Sequence, residues 1–417
     1  MSRQAIVVGA GLAGLVAAIR LAQEGRDVAV YAAGHGALPL APGVIDVLGY
    51  SAAPVASPQS ELPAFLAAHP GHPLGRLGSG VLEASCSWFL KLAAPLGYQG
   101  SPQRNLFLPS AVGALRPTAL VPETMAAGDL SRGGSVLIVG IRGYRDFYPQ
   151  LVADNLTAAG VRSGAPIHAR AVEVGMPGDA NGLRPQLLAR RLEEDRVRAD
   201  LVSSIRLELA AEEVVGLPAL LGLQHSHRVW SDLQDRIGKP VFEIPTLPPS
   251  VSGLRLQALL ISVLRRAGGS LVVGATVVGA RAAGGRVTGL VVAGPGRQVE
   301  VRADHFVIAT GGVATGGIVV DRGEAAREVV FGLPVGGGDA QAEGATQYLG
   351  PHPADRLGLS VDLSLRPVGA LGEPVYSNLH AAGAILGGAE PWREKSGNGT
   401  SLATGYAAAA AILGESN

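Results

Sequence analysis

The feature that most constrains the fold is a glycine-rich turn close to the first residue. Residues 6–14 read Ile-Val-Val-Gly-Ala-Gly-Leu-Ala-Gly. An apolar strand pattern precedes the glycines, a helix pattern follows them, and a second apolar run occupies residues 28–31. This order is the opening of a dinucleotide-binding fold, in which the glycines allow a tight turn, the approach of a pyrophosphate and close packing of helix on strand.

The turn predicts a nucleotide cofactor, because the N-terminus of the following helix offers free N–H groups and the positive end of its dipole to a phosphate. The alternative is a tight strand–helix turn without a ligand. The predicted cofactor contacts in this stretch are Gly9, Gly11, Leu12, Ala13 and Gly14.

One residue of the usual pattern is missing at the end of the second strand. That strand commonly ends in Asp or Glu, which binds the hydroxyls of the adenosine ribose. Here the position is Ala32, which we include among the predicted cofactor contacts, and no carboxylate follows until Asp46. An ordinary adenine dinucleotide is therefore less strongly indicated than the glycines alone suggest.

Charge and cysteine content exclude several classes of function. The 417 residues carry 34 basic and 34 acidic side chains, whereas general nucleic-acid binding needs a basic surface. Cys86 is the single cysteine, so the chain can form no internal disulfide and cannot ligate an iron–sulfur cluster through four thiolates. His225 and His227 lack a third ligand, and we predict no metal site.

The N-terminus and the hydropathy pattern predict a cytoplasmic protein. No charged segment precedes an apolar one at the N-terminus, so no signal peptide is expected. No charge-free apolar run reaches the length of about 20 residues that a membrane span needs.

The sequence predicts an α/β protein with a segment inserted into its nucleotide-binding domain. We predict one discontinuous domain from residues 1–50 and 245–417, and an inserted α+β cap domain at 51–244. Prolines make 241–250 an extended crossing between them. Three short strands joined by glycine turns, at 271–278, 285–292 and 298–301, predict a β-meander.

Two further glycine clusters predict ligand contacts. A buried strand at 304–308 runs into Ala-Thr-Gly-Gly, and glycines at the carboxyl end of a strand lie where open α/β sheets bind ligands. Near the C-terminus, glycine-rich loops precede a helix predicted at 401–413. The contacts predicted from these clusters are Gly311, Gly312, Gly383, Gly399 and Thr400.

These blocks, in this order, resemble two-domain flavoproteins with a Rossmann-like FAD/NAD(P)-binding-type domain, a β-meander and an inserted cap domain. A closer resemblance is to the family of the B subunit of anaerobic glycerol-3-phosphate dehydrogenase. The residues that carry it lie at 34–48, 105–109, 113–118, 143–147, 216–219, 242–250, 253–256 and 378–383.

The resemblance implies a flavin subunit with FMN as its cofactor and FAD as the alternative. It implies a complex with a second flavoprotein subunit and an iron–sulfur membrane-anchor subunit. That complex oxidises sn-glycerol 3-phosphate to dihydroxyacetone phosphate and passes electrons to quinone, so the chain is expected on the cytoplasmic face of the membrane through a partner. Ala32 agrees with FMN, which has no adenosine ribose. Gly43 and Val44 are expected to wrap the flavin ring.

Oxidation of a secondary alcohol needs a hydride acceptor and a base, and a substrate phosphate suits arginine. The candidate catalytic residues are Arg255, Arg116, His227 and His380. The full set of substrate-binding His and Arg motifs of the succinate and fumarate flavoproteins is absent from the inserted region. Two alternatives stay open at this point: a stand-alone FAD oxidoreductase of that group, and a non-catalytic flavin relay.

Overall fold

The computed structural model describes residues 3–78, 80–176, 182, 184–294, 296–321, 325–337 and 350–414. Its α-helices, in chain order, are α1 Leu12–Gln23, α2 Pro58–Ala68, α3 Val81–Leu92, α4 Glu123–Ala126, α5 Pro149–Ser163, α6 Pro185–Arg191, α7 Asp195–Glu208, α8 Ser226–Ile237, α9 Val251–Arg266, α10 Pro391–Glu394 and α11 Gly397–Leu413.

The strands of the same residues alternate with these helices along most of the chain. In chain order they are β1 Arg3–Val8, β2 Val28–Ala32, β3 Gln99–Gly100, β4 Leu106–Pro109, β5 Leu115–Thr118, β6 Leu120–Val121, β7 Gly134–Ile141, β8 Ile167–Val174, β9 Val214–Pro218, β10 Val241–Ile244, β11 Ser270–Val273, β12 Thr276–Ala283, β13 Arg286–Gly294, β14 Arg297–Val301, β15 Ala303–Ile308, β16 Ile318–Val319, β17 Arg327–Glu328 and β18 Leu379–Ala381.

The chain divides into two compact units. The first unit comprises Met1–Ala37, Gln59–Phe89 and Leu259–Asn417, and the second comprises Leu38–Pro58 and Leu90–Ala258. The predicted α/β class is confirmed, since both units contain a parallel sheet with helices.

The first unit is built on a five-stranded parallel sheet in the order β11-β2-β1-β15-β18. Its central strands are apolar and buried, as expected of parallel strands covered on their faces. Helix α1 packs against α11, and glycine makes that contact close: a Cβ at Gly405 would lie 2.4 Å from the carbonyl oxygen of Ala13.

An antiparallel meander of β12, β13 and β14 also belongs to the first unit. The strand predicted at 271–278 is in fact divided between two sheets. Residues Ser270–Val273 extend the parallel sheet beside β2, and the meander begins at Thr276. Gly274, with φ of +80°, allows the turn between them.

The second unit holds a parallel sheet in the order β10-β9-β7-β8. Helices α5, α7 and α8 bury their apolar faces in its core, which includes Val152, Leu201 and Leu233. The short hairpin of β4 and β5 contributes to a second, smaller apolar cluster that contains Val44 and Leu108.

The compact units differ from the predicted domain boundaries in three segments. Residues 38–50 and 245–258 lie in the second unit, and 59–89 lie in the first. The loop after residue 38 is tied to α9, because a Cβ at Gly253 would lie 2.0 Å from the carbonyl oxygen of Leu38. The segment that begins the predicted cap domain contains helix α2, despite its Pro63.

Among the described residues, no helix is both long enough and apolar enough to cross a membrane.

Candidate functional site

Three strand ends of the first unit meet at one edge of the parallel sheet. β1, β15 and β18 are neighbours that run in the same direction, so the glycine turns that follow them lie side by side. Gly9 has φ of +111°, and a Cβ there would stand 2.2 Å from the carbonyl oxygen of Ala309. Only glycine fits this position, because both the backbone conformation and the neighbouring strand exclude a side chain.

Gly11 differs from Gly9, because a Cβ at Gly11 would meet no atom within 4 Å. It is the N-cap of α1, with no side-chain cap and no acid in the first turn of the helix. The early N–H groups of α1 are therefore left for a ligand, and the open space above Gly11 lets a phosphate approach them. Gly14 packs the helix onto the turn, since its Cβ would lie 2.1 Å from the carbonyl oxygen of Gly9.

The start of α11 adds a buried hydroxyl with no partner among the described residues. Thr400 is 5% exposed, and its Oγ1 makes no hydrogen bond there. Thr404, one turn later, is fully used: its Oγ1 donates to the Thr400 carbonyl at 2.6 Å and accepts from the Gly383 N–H at 2.9 Å. A buried hydroxyl left over beside a glycine loop is a natural contact for a polar ligand.

The remaining predicted contacts of the first unit also surround this edge. Gly311 and Gly312 follow β15, and Gly383 follows β18 with its Cβ position 2.7 Å from the Cβ of Ala13 in α1. Ala32 ends β2 and is buried, so the usual ribose-binding carboxylate is replaced by a methyl group. These glycines, free N–H groups and the Thr400 hydroxyl fit the phosphate and ribityl chain of a flavin.

Gly43 and Val44 lie in the second unit. A Cβ at Gly43, whose φ is +72°, would stand 2.8 Å from the backbone of Ser252, and the Tyr98 hydroxyl donates to the Gly43 carbonyl. Asn105 fixes the same loop by donating to the carbonyls of Leu48 and Val55 at 2.9 and 2.8 Å. The loop is thus held within its own unit, and its contact with the flavin ring stays a prediction.

Arg255 is buried in the second unit. Its Nη1 and Nη2 donate to the two carboxylate oxygens of Glu243 at 2.6 and 2.9 Å, and its Nε donates to the carbonyl of Gly222 at 2.7 Å. Glu243 also accepts from Thr124 Oγ1 and from the N–H of Leu221. The sequence suggested a substrate as the partner of Arg255, and the structure shows protein acceptors on each of its three guanidinium nitrogens.

The other candidates of the second unit are also paired. Arg116 donates through Nε and Nη2 to Asp46, a carboxylate 70 residues away in sequence. His227 is largely exposed, and its Nδ1 lies 2.6 Å from Glu123 Oε1. The three candidates of this unit therefore bind three different carboxylates.

His380 lies in β18 of the first unit and is 4% exposed. Burial lowers its pKa to about 4, so the imidazole is neutral at pH 7. Its Nδ1–H donates to the Ser364 carbonyl at 2.8 Å, which leaves Nε2 as the basic nitrogen. Its neighbour His305 has its pKa lowered by burial and by Arg286, so neither ring carries a charge at pH 7.

Sequence reasoning missed two arginines of the first unit. Arg76 and Arg356 line a cavity together with His69 and the glycine pair Gly387–Gly388. The glycine pair was visible in the sequence, whereas the arginines are 280 residues apart and follow no motif.

The sheet, its glycine turns and the helix α1 N-terminus define a flavoprotein of the dinucleotide-binding class. The FAD binding domain family model matches residues 4–400. A Halobacterium salinarum protein, named as the probable B subunit of anaerobic glycerol-3-phosphate dehydrogenase, is 35% identical over 98% of this chain and 97% of its own. A Pectobacterium atrosepticum protein, named as the B subunit of the same enzyme, is 33% identical over the full length of both chains.

The chain belongs to the FAD binding domain family and, within it, to the family of the B subunit of anaerobic glycerol-3-phosphate dehydrogenase. The flavin cofactor and the family resemblance predicted from the sequence are confirmed. Among solved structures, a 3-ketosteroid delta1-dehydrogenase from Sterolibacterium denitrificans aligns over 99% of both chains, with 12% identity and a TM-score of 0.47.

Proposed function

We propose that this chain is the flavin-dependent subunit of an anaerobic glycerol-3-phosphate dehydrogenase, which oxidises sn-glycerol 3-phosphate to dihydroxyacetone phosphate. The observation that carries the proposal is the open helix terminus at Gly11, set in a flavoprotein fold whose relatives over the full length bear that name. Electrons then pass through a partner to quinone.

The reaction removes one proton and one hydride from the substrate. A bound flavin supplies the two-electron acceptor. The C2 hydroxyl gives its proton to a base, and the hydrogen on C2 leaves with its electron pair, which yields the ketone. We assign the base to His380, because its Nδ1–H is held by Ser364 and its Nε2 keeps a lone pair that can accept the proton. Burial lowers its pKa to about 4, which keeps the ring neutral at pH 7 but makes it a weaker base than an ordinary histidine.

We propose FMN as the flavin and FAD as the alternative. Ala32 offers no carboxylate for an adenosine ribose, and FMN has none. The family model is that of an FAD binding domain, so chromatography of the released flavin decides between the two.

The proposed partners are a second flavoprotein subunit and an iron–sulfur subunit that anchors the complex to the cytoplasmic face of the membrane. A relay to quinone needs further redox centres, and the single Cys86 cannot supply the four thiolates of a cluster. Relatives are named as one subunit of a larger enzyme, which supports a multi-subunit complex.

A second candidate is an electron relay that does not meet substrate. The pairing of Arg255, Arg116 and His227 with protein carboxylates favours it, because these side chains are already occupied. The two candidates share the flavin site and differ in whether the chain binds the substrate.

The test begins with the purified chain, whose visible spectrum and released flavin are recorded. FMN would support the proposal, FAD would move it to the alternative cofactor, and a colourless chain that takes up neither flavin would contradict it. The chain is then combined with the partner subunits, and glycerol 3-phosphate oxidation is assayed with a dye acceptor. Full turnover by the partners without this chain would contradict the catalytic role.

A further inference from the structure

A cavity of about 210 Å³ in the first unit lies outside the predicted site. Arg76, Arg356 and His69 line it, and the described residues of its lining include no Asp or Glu. Its volume lies below the roughly 300–1,000 Å³ of pockets for drug-sized ligands, which suits a small anion.

Part of the cavity wall is glycine backbone in close contact with neighbouring backbone. A Cβ at Gly388 would lie 2.1 Å from the carbonyl oxygen of Gly71, and a Cβ at Gly337 would lie 2.5 Å from that of Arg356. The Gly388 N–H donates to the same Arg356 carbonyl at 2.9 Å. This backbone network fixes the position of Arg356 in the wall.

The side chain of Arg356 is also held in place. Its Nε donates to Glu390 Oε1 at 2.5 Å, and the Glu390 side chain is about nine-tenths buried. Only Nε is used in this contact, so Nη1 and Nη2 remain available for a bidentate hydrogen bond to a phosphate. Among the described residues, none accepts a hydrogen bond from Arg76, which leaves its guanidinium for a ligand as well.

His69 adds a third polar group to the lining. Its Nδ1–H donates to the Phe65 carbonyl at 2.8 Å, and its ring stacks on Phe65 at 4.3 Å. The ring is therefore fixed, and its Nε2 is the nitrogen that remains for a ligand.

A short loop joins the cavity to the glycine turn after β18, which is one of the predicted flavin contacts. Gly383 stands against Ala13 at the start of α1, and Gly387 and Gly388, four and five residues later, line the cavity. A ligand in the cavity would thus lie one loop away from the residues that fit the flavin.

We propose that Arg76 and Arg356 bind the phosphate group of a small phosphorylated polyol in this cavity. Arg76 supplies a guanidinium with no ion-pair partner among the described residues. Arg356, whose charge is shared with Glu390, supplies its two terminal nitrogens, and together they match the oxygens of a phosphomonoester. The inference rests on the proposed function for the identity of the ligand, which is then sn-glycerol 3-phosphate.

The test uses four forms of the full chain: wild type, R76Q, R356Q and the control R302Q, whose arginine is exposed beside the meander of the same unit. Inorganic phosphate and glycerol 3-phosphate are titrated calorimetrically. We expect both to bind wild type and R302Q, and R76Q and R356Q to weaken binding by about 10- to 100-fold. R76Q has no side-chain hydrogen bond or ion pair to lose among the described residues, so its effect reports the ligand.

Equal binding by all four forms, or no binding to wild type, would overturn the proposal. The same variants are then assayed in the reconstituted complex, where KM for glycerol 3-phosphate should rise by a similar factor while kcat is retained. Turnover with an unchanged KM in both variants would overturn the cavity as the substrate site and leave the proposed function standing. Binding without turnover of any form would instead overturn the proposed function.

Discussion

Arg255 and Glu243 form a buried, bidentate ion pair in the second unit, with side chains 4% and 0% exposed. Among the described residues, Glu243 accepts four hydrogen bonds, from two Arg255 nitrogens, Thr124 and the N–H of Leu221. The carboxylate depends on these donors, because an isolated charge in such a place is strongly destabilised.

We therefore expect R255M to lower the free energy of unfolding by about 3–5 kcal/mol, since it leaves Glu243 charged, buried and without its cation. Urea denaturation measures the change. The control is R104M, which removes the exposed arginine that pairs with Asp129 and should cost about 1 kcal/mol. An R255M protein as stable as R104M would contradict the dependence of Glu243 on this arginine.

Gly11→Val tests the phosphate approach without disturbing the turn. The residue has φ of −74°, and its Cβ would enter open space, so valine is compatible with the fold. It would stand in the path of the phosphate, and we expect the flavin absorbance to be lost. The melting temperature of the flavin-free protein should fall by only about 2–4 °C, because valine is a poorer N-cap residue than glycine.

The matched control is Gly279→Val, which also points into open space but lies in the meander strand β12. It should retain the flavin. A yellow Gly11→Val protein would contradict the site at α1.

The two threonines at the start of α11 make a second matched pair. Thr404→Val removes two buried hydrogen bonds, to the Thr400 carbonyl and from the Gly383 N–H, and should cost about 1–3 kcal/mol in the flavin-free protein. Thr400→Val removes a hydroxyl with no partner among the described residues, so it should leave that stability unchanged or raise it.

The Thr400 substitution should weaken flavin binding, although it does not lower the stability of the flavin-free protein. If Thr400 Oγ1 contacts the flavin, Thr400→Val raises the dissociation constant by about tenfold, as measured by fluorescence titration of the apoprotein. An unchanged dissociation constant would remove Thr400 from the site.

The sequence predicted the parts of the structure that are determined by residues close together in the chain. Gly9 and Gly14 lie five residues apart, and the turn they make follows from the spacing of glycines between an apolar strand and an apolar helix. The end of α11 at Leu413 was predicted in the same way. The helix starts at Gly397, four residues before the predicted start, because the residues of the glycine-rich loop are themselves helical.

Pairs distant in sequence could not be predicted in this way. Arg116 meets Asp46 across 70 residues, and His72 meets Glu394 across 322, so only the tertiary fold brings these charges together. Arg255 was likewise proposed as a substrate contact from the sequence, and its partner in the structure is the carboxylate of Glu243.

His380 makes stability depend on pH. Burial lowers its pKa to about 4, whereas an unfolded histidine titrates near 6.5. Between these values the unfolded chain holds more protons, so the free energy of unfolding rises with pH. The contribution is fully present above about pH 6.5 and is lost as the pH falls toward 4, by about 3 kcal/mol in total.

His380→Gln removes this titration while keeping an N–H that can donate to the Ser364 carbonyl. Urea denaturation between pH 7 and 4 should therefore show a shallower dependence for the variant than for wild type, because the carboxylates contribute equally to both. Parallel curves would mean that His380 binds its proton as readily in the folded chain as in the unfolded one. In that case the folded-state pKa of His380 would lie near the unfolded value of about 6.5, which would contradict the lowering of the pKa by burial.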